Sequence, residues 1–172
     1  MKVRRFASFS LLIALVLGSC GPSTSSGGGC GSAWVPTENR LLGAQAPNFT
    51  LPTVGGEKME LASLVQQKPT LLVFWATWCP TCKEEIPTLN EWSKKYPALQ
   101  ILGIDVQESG ERVKAFAKRQ KMNYPILLDE EGETAQRYGL VGIPASVLLA
   151  KGGKVIYFGF ALPENIDSLI RE

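Results

Sequence analysis

The continuous apolar run "TLLVFWA" (Thr70–Ala76) constrains the fold of this chain more than any other segment. A strand with one face in water alternates apolar and polar residues. This run has no polar residue after its first position, which is typical of a central strand covered on both faces. Such a strand needs packing partners on either side of its sheet. We therefore expect a layered α/β fold with a mainly buried sheet.

The segments that follow alternate between helix and strand patterns. We expect helices over residues 81–96, 111–120, 133–138 and 163–170, and strands at 101–106, in "YPILLD" (124–129), in "PASVLLA" (144–150) and in "KVIYFGF" (154–160). Strands that alternate with helices predict an α/β sandwich.

The stretch "AQAPNFTLPTVGGEKMELASL" (44–64) precedes this pattern and alternates apolar and polar residues around Gly55-Gly56. Paired glycines between two such segments are a turn signal. We expect a hairpin-like N-terminal extension here, and we place the folded domain at residues 44–172.

The first 20 residues have the three zones of an export signal. Basic side chains come first, then an apolar stretch from Phe6 to Leu17, then small residues. The apolar stretch is too short for a membrane span, which needs ~20 residues. We therefore predict a signal peptide at residues 1–19 and a domain that works outside the cytoplasm.

The signal ends in "LGSC" (Leu17–Cys20), which resembles the lipobox of bacterial lipoproteins. In such proteins the signal is cut before the cysteine, so Cys20 would carry a lipid anchor; an ordinary secretory signal is the alternative. Residues 20–43 include "GPSTSSGGGCG", the composition of a flexible tether. Within it Cys30 is either an unpaired thiol or an accessory redox cysteine.

Charge argues against a nucleic-acid partner. The whole chain has 18 basic and 16 acidic residues, but three of the basic ones lie in the predicted signal. The mature chain would be close to neutral, without the basic stripe that nucleic acid requires. With 45% hydrophobic residues, one domain of this size forms a core without a disulfide or a metal.

Cys79 and Cys82 lie two residues apart in "WCPTC", directly after the apolar run. Zinc and copper sites take three or four Cys and His ligands, yet the chain has no histidine, so we predict no metal. A disulfide across so small a loop would remove little unfolded-state entropy, which weakens the structural alternative. A reactive dithiol is the remaining interpretation.

A reactive role fits the local structure that the sequence predicts. Pro80 suits the first turn of a helix, where its missing N–H costs nothing. The free N–H groups and the positive end of the helix dipole would then stabilise the thiolate of Cys79. Cys79 is the expected nucleophile. Cys82, nearly one turn further on, is the expected resolving thiol.

The chain resembles the thioredoxin superfamily, and within it the membrane-anchored thiol-disulfide oxidoreductases of the ResA/TlpA/CcmG type. The resemblance covers about residues 44–170 and is carried by "APNFTL" (46–51), "FWATWCPTC" (74–82), "EIP" (85–87) and "GIPAS" (142–146). It implies a thioredoxin-like fold with a central mixed β-sheet flanked by helices. "APNFTL" is also shared by peroxiredoxins, so the combination of motifs is more specific than any one of them.

The resemblance also implies roles for residues around the dithiol. Pro144 would be a cis-proline that faces the cysteines, and Ile143 would offer its backbone to an extended substrate segment. We assign substrate contact to these two residues and to Trp78, Pro80 and Thr81. The redox-active Cys79–Cys82 pair would act without any other cofactor.

One departure concerns the proton acceptor. Thioredoxins bury an aspartate in the strand before the motif, whereas the matching position here is Val73. Glu85, three residues after Cys82, matches an acidic residue of the anchored subfamily. We hypothesise that Glu85 is partly buried and exchanges a proton as Cys82 reacts. The alternative is that Glu85 belongs to a charged helix surface with Lys83 and Glu84.

Three function classes follow. The first is an extracytoplasmic, lipid-anchored enzyme that reduces disulfides in exported proteins, with apocytochrome c as the substrate and a membrane thiol transporter as the electron donor that the resemblance implies. The second is a peroxiredoxin-like thiol peroxidase. The third is a non-enzymatic membrane-anchored binding module. For the first we expect a monomer on the periplasmic side of the membrane.

Overall fold

The computed structural model describes residues 38–171. The predicted signal, Cys20, Cys30 and most of the 20–43 tether lie outside these residues. In chain order the elements are α1 (Glu38–Leu41), β1 (Thr50–Pro52), β2 (Lys58–Glu60), α2 (Leu61–Leu64), β3 (Thr70–Trp75), α3 (Pro80–Lys95), β4 (Gln100–Val106), α4 (Gly110–Arg119), β5 (Ile126–Asp129), α5 (Glu133–Arg137), β6 (Ala145–Leu149), β7 (Val155–Gly159) and α6 (Ile166–Leu169).

The five longer strands form one mixed sheet in the order β5-β4-β3-β6-β7. Strands β3, β4 and β5 are parallel, whereas β6 runs antiparallel to β3 and β7 antiparallel to β6. The expected central mixed sheet is confirmed. So is the N-terminal hairpin, since β1 and β2 pair antiparallel in a separate two-stranded sheet.

Strand β3 is central, and its apolar run is buried throughout. Leu71, Val73 and Trp75 face a core that includes residues of α3 and α4, while Leu72 and Phe74 face a second core beneath α2 and α5. Because both faces of the strand are covered, none of its positions can be polar without a buried partner.

The N-terminal segment runs along both edges of the five-stranded sheet. At the β7 edge the Gly43 N–H donates to the Val155 carbonyl, and the Val155 N–H donates to the Ala44 carbonyl. At the β5 edge Thr53 forms an antiparallel bridge with Leu127. Helix α1, which the sequence did not predict, lies just before the β7 contact.

The predicted C-terminal helix at residues 163–170 is shorter than expected. It spans only Ile166–Leu169, because Asn165 has φ −106° and ψ 44°, outside the helical region, and the helix begins after it. No helix within residues 38–171 is long and apolar enough to cross a bilayer.

Candidate active site

Cys79 and Cys82 lie where β3 leads into α3, and in the structure they form a disulfide with their Cα atoms 5.4 Å apart. Cys79 is the N-cap residue of α3, and its Sγ accepts a hydrogen bond from the backbone N–H of Cys82 at 3.2 Å. Both cysteines are buried, with 4% and 3% of their surface exposed. Helix α3 has 16 residues, so its N-terminal N–H groups and dipole favour negative charge on Cys79.

The residues around the cysteines differ in exposure. Pro80 occupies the first position of α3, where a helix tolerates proline, and both it and Thr81 are exposed. Trp78 is 61% exposed, whereas Trp75 is buried beneath the site and packs against Phe116. The dithiol is therefore bordered by accessible side chains on its solvent side and by aromatic core on the other.

The Ile143–Pro144 peptide bond is cis. Strand β6 begins at the next residue, and its register places Ala145 opposite Phe74 of β3. Pro144 therefore lies at the end of the sheet at which β3 leads into the cysteines. Ile143 packs against the core cluster that contains both cysteines.

A cleft of about 640 Å³ adjoins this end of the sheet, and Trp78 and Ile143 both line it. The side chains around it are uncharged; the remaining lining residues are Val106, Gln107, Gly132, Ala135, Gln136, Leu140 and Gly142. Gln107 and Gly132 form a tight wall, since a Cβ added to Gly132 would lie 2.9 Å from the Gln107 side chain. Gly132 also has φ 73°, which favours glycine.

Glu85 lies on α3 one turn after Cys82 and is half-buried. Its Oε2 atom is buried and has no hydrogen-bond partner among the described residues. Burial raises the pKa of Glu85 from 4.5 to about 7, and the backbone N–H of Leu162 offsets part of this effect. The carboxyl is thus able to hold or release a proton near neutral pH, as the hypothesis for this residue requires.

A cluster of two acidic residues contacts the loop between β3 and α3, and the sequence analysis missed it. Glu108 accepts hydrogen bonds from the backbone N–H and from the hydroxyl of Thr77, the latter at 2.7 Å. Arg112 pairs with Glu108 at 2.8 Å. Asp105 is fully buried next to them, opposite Trp75 in the β3–β4 register. The signal in the sequence was an aspartate inside the apolar run "ILGIDV".

Burial, joined by the nearby Glu108 carboxyl, raises the pKa of Asp105 to about 8 against the opposing effect of Arg112. Val73, the position of the missing buried acid, is itself buried on the same face of the sheet. Within residues 38–171 no group of three Cys, His, Asp or Glu side chains is arranged to hold a metal ion.

Comparison with known proteins agrees with this geometry. Residues 42–158 match the AhpC/TSA family. The chain belongs to that family. It is 30% identical to the thiol-disulfide oxidoreductase ResA of Bacillus thuringiensis (strain Al Hakam) over 100% of this chain and 98% of the relative, and 37% identical to ResA of Bacillus cereus (strain ATCC 10987) over 69% of each.

Solved structures show the same fold. StoA from Bacillus subtilis superposes with a TM-score of 0.61 at 27% identity, covering 73% of this chain and 96% of that one. A secreted Mycobacterium tuberculosis disulfide oxidoreductase gives 0.61 at 30% identity, covering 72% and 92%. The resemblance to thioredoxin-like, ResA-type proteins is therefore confirmed, and the chain is a thiol-disulfide oxidoreductase.

Proposed function

We propose that this enzyme reduces disulfides in exported proteins through Cys79 and Cys82, with Cys79 attacking first. The observation that carries the proposal is the position of Cys79 as the N-cap of α3, where the helix N–H groups favour its thiolate. The exposed Trp78 beside it supports the approach of a protein substrate from this side.

The chemistry proceeds in two exchanges that balance electrons and protons. The Cys79 thiolate attacks one sulfur of the substrate disulfide, which forms a mixed disulfide and releases the other substrate sulfur as a thiolate. Cys82 then loses its proton, for which we propose Glu85 as the acceptor, and attacks the Sγ of Cys79. The substrate leaves with both sulfurs reduced, and the enzyme is left with the Cys79–Cys82 disulfide.

The uncharged cleft supports a role for Trp78 and Ile143 in substrate contact. We propose the same role for Pro144, which follows Ile143 through a cis peptide bond. An extended segment that crosses the cis-proline would place its neutral or apolar side chains in the cleft beside Gln107 and Gln136. Pro80 and Thr81, exposed at the start of α3, would border the reacting sulfur. A large charged side chain would gain no ion pair from the residues that line the cleft.

We further propose that Cys20 carries a lipid anchor and that the domain, as a monomer, faces the extracytoplasmic side of the membrane. The three-zone N-terminus and "LGSC" support this placement. Continued reduction requires an electron donor, and we propose a membrane thiol transporter that returns the disulfide to the dithiol. Apocytochrome c is the proposed substrate among exported proteins, on the basis of the resemblance to the anchored subfamily.

The test is to trap the mixed disulfide. In a Cys82→Ser protein the intermediate on Cys79 cannot be resolved quickly, so exported proteins should accumulate as mixed disulfides in the cell. Cys79→Ser is the matched control and should accumulate few. Both variants carry Cys30→Ala, which removes the tether thiol as a source of false captures.

Mass spectrometry then identifies the partners. Trapped apocytochrome c supports cytochrome maturation, and a broad set of exported proteins supports a general reductase. If Cys82→Ser traps nothing while the parent cycles between dithiol and disulfide, the attack order or the protein-substrate assignment is wrong. Rapid peroxide consumption that depends on Cys79 would instead favour a peroxidase.

A further inference from the structure

We propose that Asp105 and Glu108 form a positioning pair for Cys79, in which Glu108 holds the loop before the cysteine and Asp105 must stay neutral for that contact to persist. The inference concerns thiol-disulfide exchange itself and rests on the proposed function only in taking Cys79 as the attacking sulfur.

The geometry begins at Thr77, which lies two residues before Cys79 in the loop between β3 and α3. Its backbone N–H and its hydroxyl both donate to the Glu108 carboxylate. Arg112 contacts the same carboxylate at 2.8 Å and also donates to the Thr77 hydroxyl at 3.0 Å. Three donors thus converge on one carboxylate and fix the loop that carries Trp78 and Cys79.

Asp105 lies behind this contact. It is fully buried, and neither of its carboxyl oxygens has a hydrogen bond of ordinary geometry within the described part of the chain. A buried carboxylate is costly, and the neighbouring Glu108 side chain also favours the protonated form of Asp105, so the neutral acid is the favoured form. The negative charge of Glu108 is part of this effect. Because Arg112 pairs with Glu108, the cluster of these three residues has no net charge only while Asp105 is protonated.

Charged groups on the neighbouring helices and on β5 have contacts elsewhere. Lys83 of α3 and Arg119 of α4 lie over the Phe116 ring, at 6.0 and 5.8 Å from its centroid. On β5, Asp129 accepts backbone N–H bonds from α5, and the following Glu130 accepts one from Gly110. The charges that act on Asp105 are therefore those of Glu108 and Arg112.

The consequence is a pH limit on the alkaline side. When Asp105 loses its proton, two negative charges share a site that holds one arginine, and the Thr77 contact is weakened. The pKa of Asp105, raised to about 8, places this change just above neutral pH. One pH unit above that value about a tenth of the molecules would retain the neutral acid, so the intrinsic reactivity of Cys79 should fall several-fold and by at most about tenfold.

The experiment measures the rate constant at which the fully reduced protein attacks a small aromatic disulfide, 5,5′-dithiobis(2-nitrobenzoate), between pH 6 and 9.5. The parent and all variants carry Cys30→Ala, which removes the tether thiol. Each rate is divided by the fraction of Cys79 present as thiolate, obtained from the difference in absorbance at 240 nm between the protein and its Cys79→Ser form. The parent should show the alkaline fall, and Asp105→Asn should abolish it because asparagine stays neutral. Glu111→Gln, an exposed change on α4, should keep the parental profile.

Thr77→Val provides a second and independent test, because it removes one donor to Glu108 without changing any charge. It should lower the corrected rate constant several-fold across the pH range while the alkaline fall remains. An Asp105→Asn protein that retains the fall, or a Thr77→Val protein with the parental rate, would overturn the inference.

A merely structural role for Asp105 would change stability in urea but not the shape of the pH profile. If Cys79→Ser reacts as fast as the parent, the proposed attack order fails. That outcome is separate from the shape of the profile, which the Asp105 and Thr77 variants report.

Discussion

Replacing Glu85 with glutamine should make the stability of the folded protein less sensitive to pH. Burial raises the pKa of Glu85 from 4.5 to about 7, so the folded state binds more protons than the unfolded state between these two values. Stability therefore falls as pH rises through this interval, because the buried carboxyl must ionise at a cost. Glutamine has a similar shape and no proton to lose.

The magnitude follows from the same interval. At about 1.36 kcal/mol per pH unit, the shift in the pKa of Glu85 corresponds to at most about 3.4 kcal/mol of folding stability. The side chain is only half-buried, and water screens part of the effect, so about 1–2 kcal/mol is expected. When the pH is raised from 5 to 8.5, the free energy of unfolding of Glu85→Gln should therefore increase by this amount relative to that of the parent.

Urea denaturation of the disulfide form at the two pH values measures the difference. Comparison of variant with parent cancels the pH dependence that Asp105 contributes to both proteins. Glu84→Gln is the matched control, since Glu84 is the adjacent helix residue and is exposed. A stability difference between parent and Glu85→Gln that does not change with pH would refute the assignment of a buried, proton-binding Glu85.

Three further predictions concern the core, the cleft and the anchor. Leu72→Ala should lower the free energy of unfolding, measured in urea, by about 2–5 kcal/mol because Leu72 is fully buried. Leu42→Ala, at a 52% exposed position, should change it by less than about 0.5 kcal/mol. Gly132→Ala should displace Gln107 and raise KM for protein substrates more than it lowers kcat; an unchanged KM would show that this wall does not contact substrate. Cys20→Ala should remove the protein from the membrane fraction or leave it unprocessed, and a processed, lipid-bearing variant would contradict the anchor.

The direction of electron flow has its own measurement. The Pro-Thr pair between the cysteines lacks the histidine of strongly oxidising relatives, so we expect a reduction potential near that of thioredoxin, about −270 mV. Equilibration with a glutathione series gives the value. A potential near about −120 mV would assign the enzyme to disulfide formation instead.

The sequence predicted those parts of the fold that depend on local patterns. Burial on both faces of β3 follows from its uninterrupted apolar run, and the start of α3 follows from Pro80 after Cys79. Helix α6 was overestimated because an amphipathic pattern does not reveal the backbone angles of Asn165.

The site was predictable where its residues are close together in the chain. Glu85 lies three residues from Cys82, and helix periodicity alone brings the two to neighbouring positions. Asp105 and Glu108 reach the same loop only through the parallel register of β3 and β4, which pairs Trp75 with Asp105. The cleft draws on segments separated by more than 60 residues, and no local pattern indicates that they meet.

The course of the N-terminal segment along both edges of the main sheet bears on how the protein behaves at high local concentration. Exposed strand edges invite pairing with other chains, and such pairing becomes more frequent as the concentration rises. Here Gly43 and Ala44 occupy part of the β7 edge and Thr53 part of the β5 edge. Another chain cannot extend the sheet at these positions, so the covered parts of the edges disfavour both aggregation and strand addition.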